Sequence, residues 1–259
     1  MALMDKDLLK GKKALVVGIA NEHSIAYGCA KMLKKAGADL AITYLNDKAK
    51  PFVDKIADEL EPSIYLKCDV TSEQNVVNVF KEIENKWQGI DILVHSIAFA
   101  PKKDLQGPLV RCSKEGFLMA MDISCHSFIH MANLASPLMK KGGTLFAMSF
   151  HGSQKIVEHY NLMGPVKAAL ESAVRYMAFE LGSQNIRVIT ISPGPVKTRA
   201  ASGLEEFDKL IQRAQESSPL KSLADIFDIG AMVTYLSTDY AKNITGDTIY
   251  IDAGFHLLG

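Results

Sequence analysis

Short apolar runs alternate with stretches of helical spacing along almost the whole chain. KALVVGIA (13–20) reads as a buried strand, an apolar run with paired valines that leads into a glycine. A helix is predicted over 24–36, closed by Gly37, then a strand over 39–44 and a helix over 48–60. IYLKCDV (64–70) is the third strand; Thr71 or Ser72 caps a helix to about Trp87, ended by Gly89. IDILVHS (90–96) is the fourth strand, followed by a long helix over 114–140. GGTLFAMS leads through a loop to a helix over about 158–181, and IRVITIS (186–192) is again a buried strand. Residues 198–221 change texture, polar with scattered Leu204, Phe207, Leu210 and Ile211, and read as short helices on a mobile loop. A helix over 225–237 and a strand over 247–252 close the chain.

Seven strands alternating with helices predict a parallel sheet covered on both faces, because parallel neighbours need right-handed crossovers. The expected fold is α/β, a single doubly wound Rossmann domain spanning 1–259, with no linker or internal repeat to divide it. At 259 residues, 48% hydrophobic and 22% charged, the chain has ample material for one core. Its 29 basic and 29 acidic residues cancel, which argues against a nucleic-acid module. No apolar run approaches the roughly 18 residues of a membrane span, and the first residues lack a signal-peptide core. A cytoplasmic protein is expected. Cys29, Cys68, Cys112 and Cys125 are scattered and read as buried small hydrophobes.

In such sheets ligands sit beyond the carboxyl ends of the strands, where strand order reverses. The first turn reads Gly18-Ile19-Ala20-Asn21-Glu22-His23-Ser24-Ile25. Gly18 lets backbone approach a pyrophosphate, the helix start offers free N–H groups to that anion, and Ser24 is placed to donate to it. The match to G-x-G-x-x-G is incomplete, since Ala20 replaces the second glycine. The second strand ends about 20 residues further on, where a ribose-reading residue belongs; Leu45 stands there. No Arg or Lys directly follows the strand to hold a 2′-phosphate, so NADH is favoured over NADPH.

Reductases of this architecture commonly pair a tyrosine with a lysine whose charge makes the phenol a better acid. Literal Y-x-x-x-K matches at Tyr27/Lys31 and Tyr44/Lys48 lie in the first helix and on the adenine side, and read as accidents. Tyr160 and Lys167 are the better pair: seven residues make close to two helical turns, so both are predicted on one face. Pro165 costs a helix interior ~3 kcal/mol, which places Tyr160 near the helix start, facing the crevice. No His, Asp or Glu set has metal-ligand spacing, so no metal is expected. Met119, Met121, Met131 and Met139 read as packing of the long helix against the sheet or a partner subunit.

GIANEHSIAYG, the CDV at 68–70, HSIAFAP at 95–101, Tyr-x6-Lys at 160/167 and ISPGPVKTRAASG at 191–203 together resemble the NADH-dependent enoyl-acyl-carrier-protein reductases of bacterial fatty-acid synthesis. These are divergent short-chain dehydrogenase/reductases, and the resemblance runs from about Leu8 to Phe255. It implies that Gly18, Ala20, Ser24 and Ile25 hold the pyrophosphate side, that Asp69 and Val70 flank the adenine, and that Ser96, Ile97 and Ala98 line the cofactor. It further implies that Lys167 binds the nicotinamide ribose, with Val196 and Thr198 by the carboxamide and phosphates. The implied reaction delivers hydride to the β-carbon of a trans-2-enoyl thioester while Tyr160 hydrogen-bonds the thioester carbonyl, as an oxyanion hole does. Residues 198–221 would form a lid, with Phe150, Met163 and Phe207 as apolar substrate wall. The implied partners are an enoyl thioester on acyl carrier protein, or on coenzyme A, and further copies in a homotetramer.

Three positions depart from the family pattern. Phe150 replaces a second tyrosine, Ala98 replaces a glycine, and the lid carries Glu205 and Asp208 beside Arg199, Lys209 and Arg213, which should weaken docking of an acidic carrier. Two other readings stay open. Carbonyl reduction needs a serine and an asparagine where the chain has Ala147 and Asp122, though Ser149 could substitute. A catalytically weak dinucleotide-binding paralogue is the other.

Overall fold

The protein, described as a computed structural model, is defined over residues 7–198 and 206–258. Its strands are β1 (Lys13–Val17), β2 (Asp39–Tyr44), β3 (Ile64–Lys67), β4 (Ile92–His95), β5 (Gly143–Met148), β6 (Ile186–Pro193) and β7 (Thr248–Ile251). They form one parallel sheet in the order β3-β2-β1-β4-β5-β6-β7. The order reverses between β1 and β4, whose register pairs Val17 with His95. A crevice at the carboxyl ends therefore opens between the turns that follow these two strands.

Side chains alternate across each strand, and both faces are buried. Leu15, Val17, Leu93 and Leu145 face one core with Phe128 and Leu170; Val16, Ile42, Val94 and Phe146 face the other with Leu33 and Ile229. The covering helices are α1 (Ile25–Lys35), α2 (Lys50–Leu60), α3 (Glu73–Trp87), α4 (Lys102–Leu105), α5 (Lys114–Met121), α6 (Ser127–Ala135), α7 (Met163–Leu181), α8 (Phe207–Ser217) and α9 (Ile226–Leu236). Helices α1 and α9 meet through glycines: a Cβ on Gly28 would lie 2.1 Å from the Ile226 carbonyl oxygen, and one on Gly230 2.3 Å from that of Gly28. Asp225 and Asp228 form a reciprocal capping box at the start of α9.

Several predicted bounds move. Strands β1, β3, β4 and β7 are shorter than their apolar runs, because the run continues into the ligand-side turns. The helix predicted over 114–140 is broken by a π turn at Asp122–His126 and a 3₁₀ turn at Ser136–Leu138. The widened turn sets Ser124 Oγ against the loop after β4, where it accepts from Phe99 N (2.9 Å) and donates to Phe99 O (3.1 Å). The helix predicted from 158 begins at Met163. Of the segment predicted as short helices, residues 207–217 form one continuous helix, α8. Leu204, Glu205 and Arg199 lie outside the described residues. Among the described residues no helix is long and apolar enough to cross a membrane.

Candidate active site

The turn after β1 is built for a close approach. Gly18 has φ +102°, and a Cβ there would sit 2.1 Å from the Ser96 carbonyl oxygen. The glycine is thus required by the end of β4, whichever ligand binds. Ser24 turns back: its Oγ accepts from Ala20 N and Asn21 N, each at 3.0 Å. Its hydroxyl proton has Asn21 Oδ1 3.4 Å away. The consequence is a helix start with no side-chain cap and no acidic residue in its first turn. The Ile25 and Ala26 amides take no partner within the described chain. An uncapped, positively polarised helix end fits a pyrophosphate.

The other predicted dinucleotide residues follow the carboxyl ends of β2, β3, β4 and β6. Ser96 N donates to Val17 O at 3.1 Å, which carries Ile97 and Ala98 along the crevice. Asp69 and Val70 follow β3, with Asp69 Oδ1 accepting from the Thr71 hydroxyl at 2.7 Å. Leu45 follows β2 and is half exposed. Val196 and Thr198 follow β6; Val196 shares an apolar cleft with His23, Pro195, Ile211 and Ile226.

Tyr160 and Lys167 sit in different backbone settings. Tyr160 lies in a turn before α7, between His159 (φ 63°) and Asn161 (φ 38°), so the seven-residue spacing is not two helical turns. Pro165 is the third residue of α7, in the first turn where it costs no hydrogen bond. Asn161 Nδ2 donates to Leu105 O at 2.9 Å and ties the turn to α4. Gly152 makes room for the tyrosine: a Cβ there would lie 2.5 Å from Tyr160 Cδ1. The Phe150 ring meets the Tyr160 ring edge-on at 4.9 Å.

Tyr160 is 8% exposed, and no group among the described residues bonds its hydroxyl. Burial pushes the phenol well above its usual range, and the Glu171 charge adds to this. It is therefore a neutral donor near neutral pH, which corrects the expectation of a phenol acidified by its lysine. Lys167 is buried, and its Nζ donates to Met148 O at 2.6 Å. Burial pushes its ammonium down to about 8, against the opposing pull of Cys125 and Glu171.

Beside the tyrosine lies an apolar cluster of Leu105, Ala120, Phe150, Leu162, Met163 and Val166. Leu210 of α8 packs against it, and Phe150 and Met163 are members of it; Phe207 is the first residue of α8. The alternative carbonyl site loses its substitute serine, because Ser149 Oγ donates to Glu171 Oε1 at 2.6 Å. Asp122 lies in the π turn, 3.4 Å from His126 Nδ1. Tyr44 has Lys50, not Lys48, over its ring. Among the described residues no His, Cys, Asp or Glu group is arranged for a metal. All four cysteines are free, and burial pushes the Cys29 and Cys68 thiols up to about 12.

Sequence reasoning passed over Gly152 and Asn161, which shape the turn that carries Tyr160, and the buried Glu171. Only Gly152 carries a signal of its own type, a glycine eight residues before the tyrosine.

Comparison with known proteins agrees with this geometry. The model of the enoyl-(acyl carrier protein) reductase family matches residues 18–256. An NADH enoyl-acyl-carrier-protein reductase of Aquifex aeolicus is 42% identical, over 97% of this chain and 94% of its own. Its crystal structure superposes with a TM-score of 0.93, covering 97% of this chain and 99% of that one. The Anaplasma phagocytophilum reductase in complex with NAD gives 0.93 at 41% identity, covering 97% and 96%. The Bacillus cereus reductase with NADP+ and indole naphthyridinone gives 0.95 at 38%, covering 98% and 99%. The chain belongs to the enoyl-acyl-carrier-protein reductase family.

Proposed function

We propose that the chain reduces trans-2-enoyl thioesters of acyl carrier protein to saturated acyl thioesters, with Tyr160 and Lys167 as its catalytic pair. The observation that carries this is Tyr160, whose ring packs in an apolar cluster while no group among the described residues bonds its hydroxyl. A hydroxyl with no protein partner keeps its proton free to donate to a ligand. The thioester carbonyl is that ligand.

NADH, when bound, supplies the hydride. The uncapped start of α1 holds the pyrophosphate through the Ile25 and Ala26 amides, beside Gly18 and Ala20. Lys167 presents its ammonium to the nicotinamide ribose, with Met148 O fixing its direction. Tyr160 donates to the carbonyl oxygen, where negative charge develops as the β-carbon gains hydride. The resulting enolate then takes a proton at the α-carbon. Phe150, Met163 and Leu210 exclude water from the acyl chain. Residues 198–221, which include α8, act as the lid.

Two described acidic residues of this segment are locally matched: Asp208 lies 2.9 Å from Lys197 Nζ, and Glu206 is paired with Lys209. Paired carboxylates repel an acidic carrier less than bare ones would. Homotetramer assembly goes with exposed apolar residues on the outer helices, Leu118 on α5, Ile129 on α6 and Tyr176 and Phe179 on α7.

Coenzyme oxidation followed with carrier-linked and coenzyme-A-linked enoyl thioesters tests the assignment. The expected outcome is faster turnover with NADH than NADPH and with the carrier-linked substrate. Turnover of a 3-ketoacyl thioester but no enoyl thioester would overturn it.

A further inference from the structure

Within α7, one turn beyond Lys167, stands a carboxylate with little solvent: Glu171 is 3% exposed. Its Oε1 accepts from Ser149 Oγ and from Ser153 Oγ, each at 2.6 Å, and its Oε2 from Gln154 Nε2 at 3.3 Å. A charge this deep is tolerated only where donors surround it. The donors come from the two ends of a single stretch. Ser149 leaves the sheet, its amide bonded to Ile191 O at 2.7 Å, while Ser153 and Gln154 end the turn that follows.

Between these ends lie the groups that set the catalytic pair. Phe150 packs its ring on Tyr160, and Gly152 leaves the space the tyrosine ring fills. Met148, just before the stretch, supplies the carbonyl that receives Lys167. We infer that Glu171 is a positioning residue for enoyl reduction, clamping both ends of residues 149–154 to α7 so that Tyr160 and Lys167 keep one relative placement. This rests on the proposed roles of Tyr160 and Lys167.

The clamp also has an electrical side. Glu171 opposes loss of the proton from Lys167 and opposes ionisation of Tyr160. Other groups face the same space: Cys125 from the π turn, His95 from β4 and Tyr250 from β7. His95 is held neutral, its imidazole pushed down to about 3 by burial, so it does not replace the carboxylate's charge.

The test compares Glu171→Ala, Glu171→Gln and Ser153→Ala with the parent, by NADH binding, by kcat and KM for an enoyl thioester, and by pH profile. Glu171→Ala should lower kcat by ~10-fold or more while NADH affinity changes less than ~3-fold, because a small misplacement of reacting groups is enough. Glu171→Gln keeps an acceptor for the serines, so it should restore most of kcat. With the negative charge gone, its alkaline limb should move to lower pH than in the parent. A residue that only fills space would not move that limb. Ser153→Ala, which leaves the carboxylate and Ser149 in place, should lose ~3-fold in kcat at unchanged Tm and decides the matter if Glu171→Ala does not fold. Parent-like kcat in Glu171→Ala or in Ser153→Ala, or an unmoved limb in Glu171→Gln, overturns the clamp. Full activity of Tyr160→Phe would instead overturn the catalytic pair itself, so the two failures are distinguishable.

Discussion

The molecule holds two tyrosine–lysine–glutamate trios, and they behave in opposite ways. On α1, Tyr27 donates to Glu59 Oε2 at 2.7 Å and accepts from Lys31 Nζ at 2.9 Å, while Lys31 lies 2.7 Å from Glu59 Oε1. The ring of bonds is closed. Its carboxylate raises the Lys31 ammonium and is itself lowered by it, as in an ordinary ion pair. Tyr160, Lys167 and Glu171 share no direct bond. Lys167 leans on a backbone carbonyl, Glu171 on two hydroxyls, and the Tyr160 hydroxyl is left open. Burial drives Lys167 down, where pairing drives Lys31 up. The literal Y-x-x-x-K match is the satisfied trio, a surface brace from α1 to α2. A group that has already spent its hydrogen bonds has none to give a substrate.

The largest contrast should come from the lysines. Lys167→Ala should lower kcat/KM by ~10²-fold or more, the scale of a lost proton-handling group, while Lys31→Ala leaves it within ~2-fold in NADH oxidation assays. In the parent, kcat/KM should fall above about pH 8 as Lys167 loses its proton. The sign follows from a pKa below the usual lysine range: the ammonium is present below that pH and gone above it. The smallest effect should belong to Tyr27→Phe, which removes two partly screened bonds and leaves the Lys31–Glu59 pair in place. Thermal unfolding should show a loss of no more than about 1 kcal/mol, with unchanged turnover. A drop in activity there would erase the distinction between the trios.

Much of the fold was legible because parallel strands bury both faces and so read as apolar runs, Lys13–Val17 and Ile186–Pro193 among them. Local spacing could not show where the chain departs from regular periods. The π turn at Asp122–His126 coincides with a contact between Ser124 and Phe99, 25 residues apart in sequence. The positive φ of His159 and Asn161 falls on residues that give no glycine signal, so the helix was extended back through Tyr160. The lone pairs of Ser24 serve its own turn, an acceptor role that only geometry reveals. Glu171 was invisible for a simpler reason: in a helix of this pattern a glutamate reads as solvated surface. The seven-residue spacing of Tyr160 and Lys167 was readable, but the chain spans it with a turn joined to a helix.

The central claim is that the open Tyr160 hydroxyl meets the substrate's carbonyl, and Tyr160→Phe tests it with the loss of one oxygen atom. With NADH and a trans-2-enoyl thioester, kcat should fall by ~10²-fold, as when one oxyanion donor is removed, while NADH binds as in the parent. Turnover equal to the parent's in a normally folded, NADH-binding variant would contradict the account.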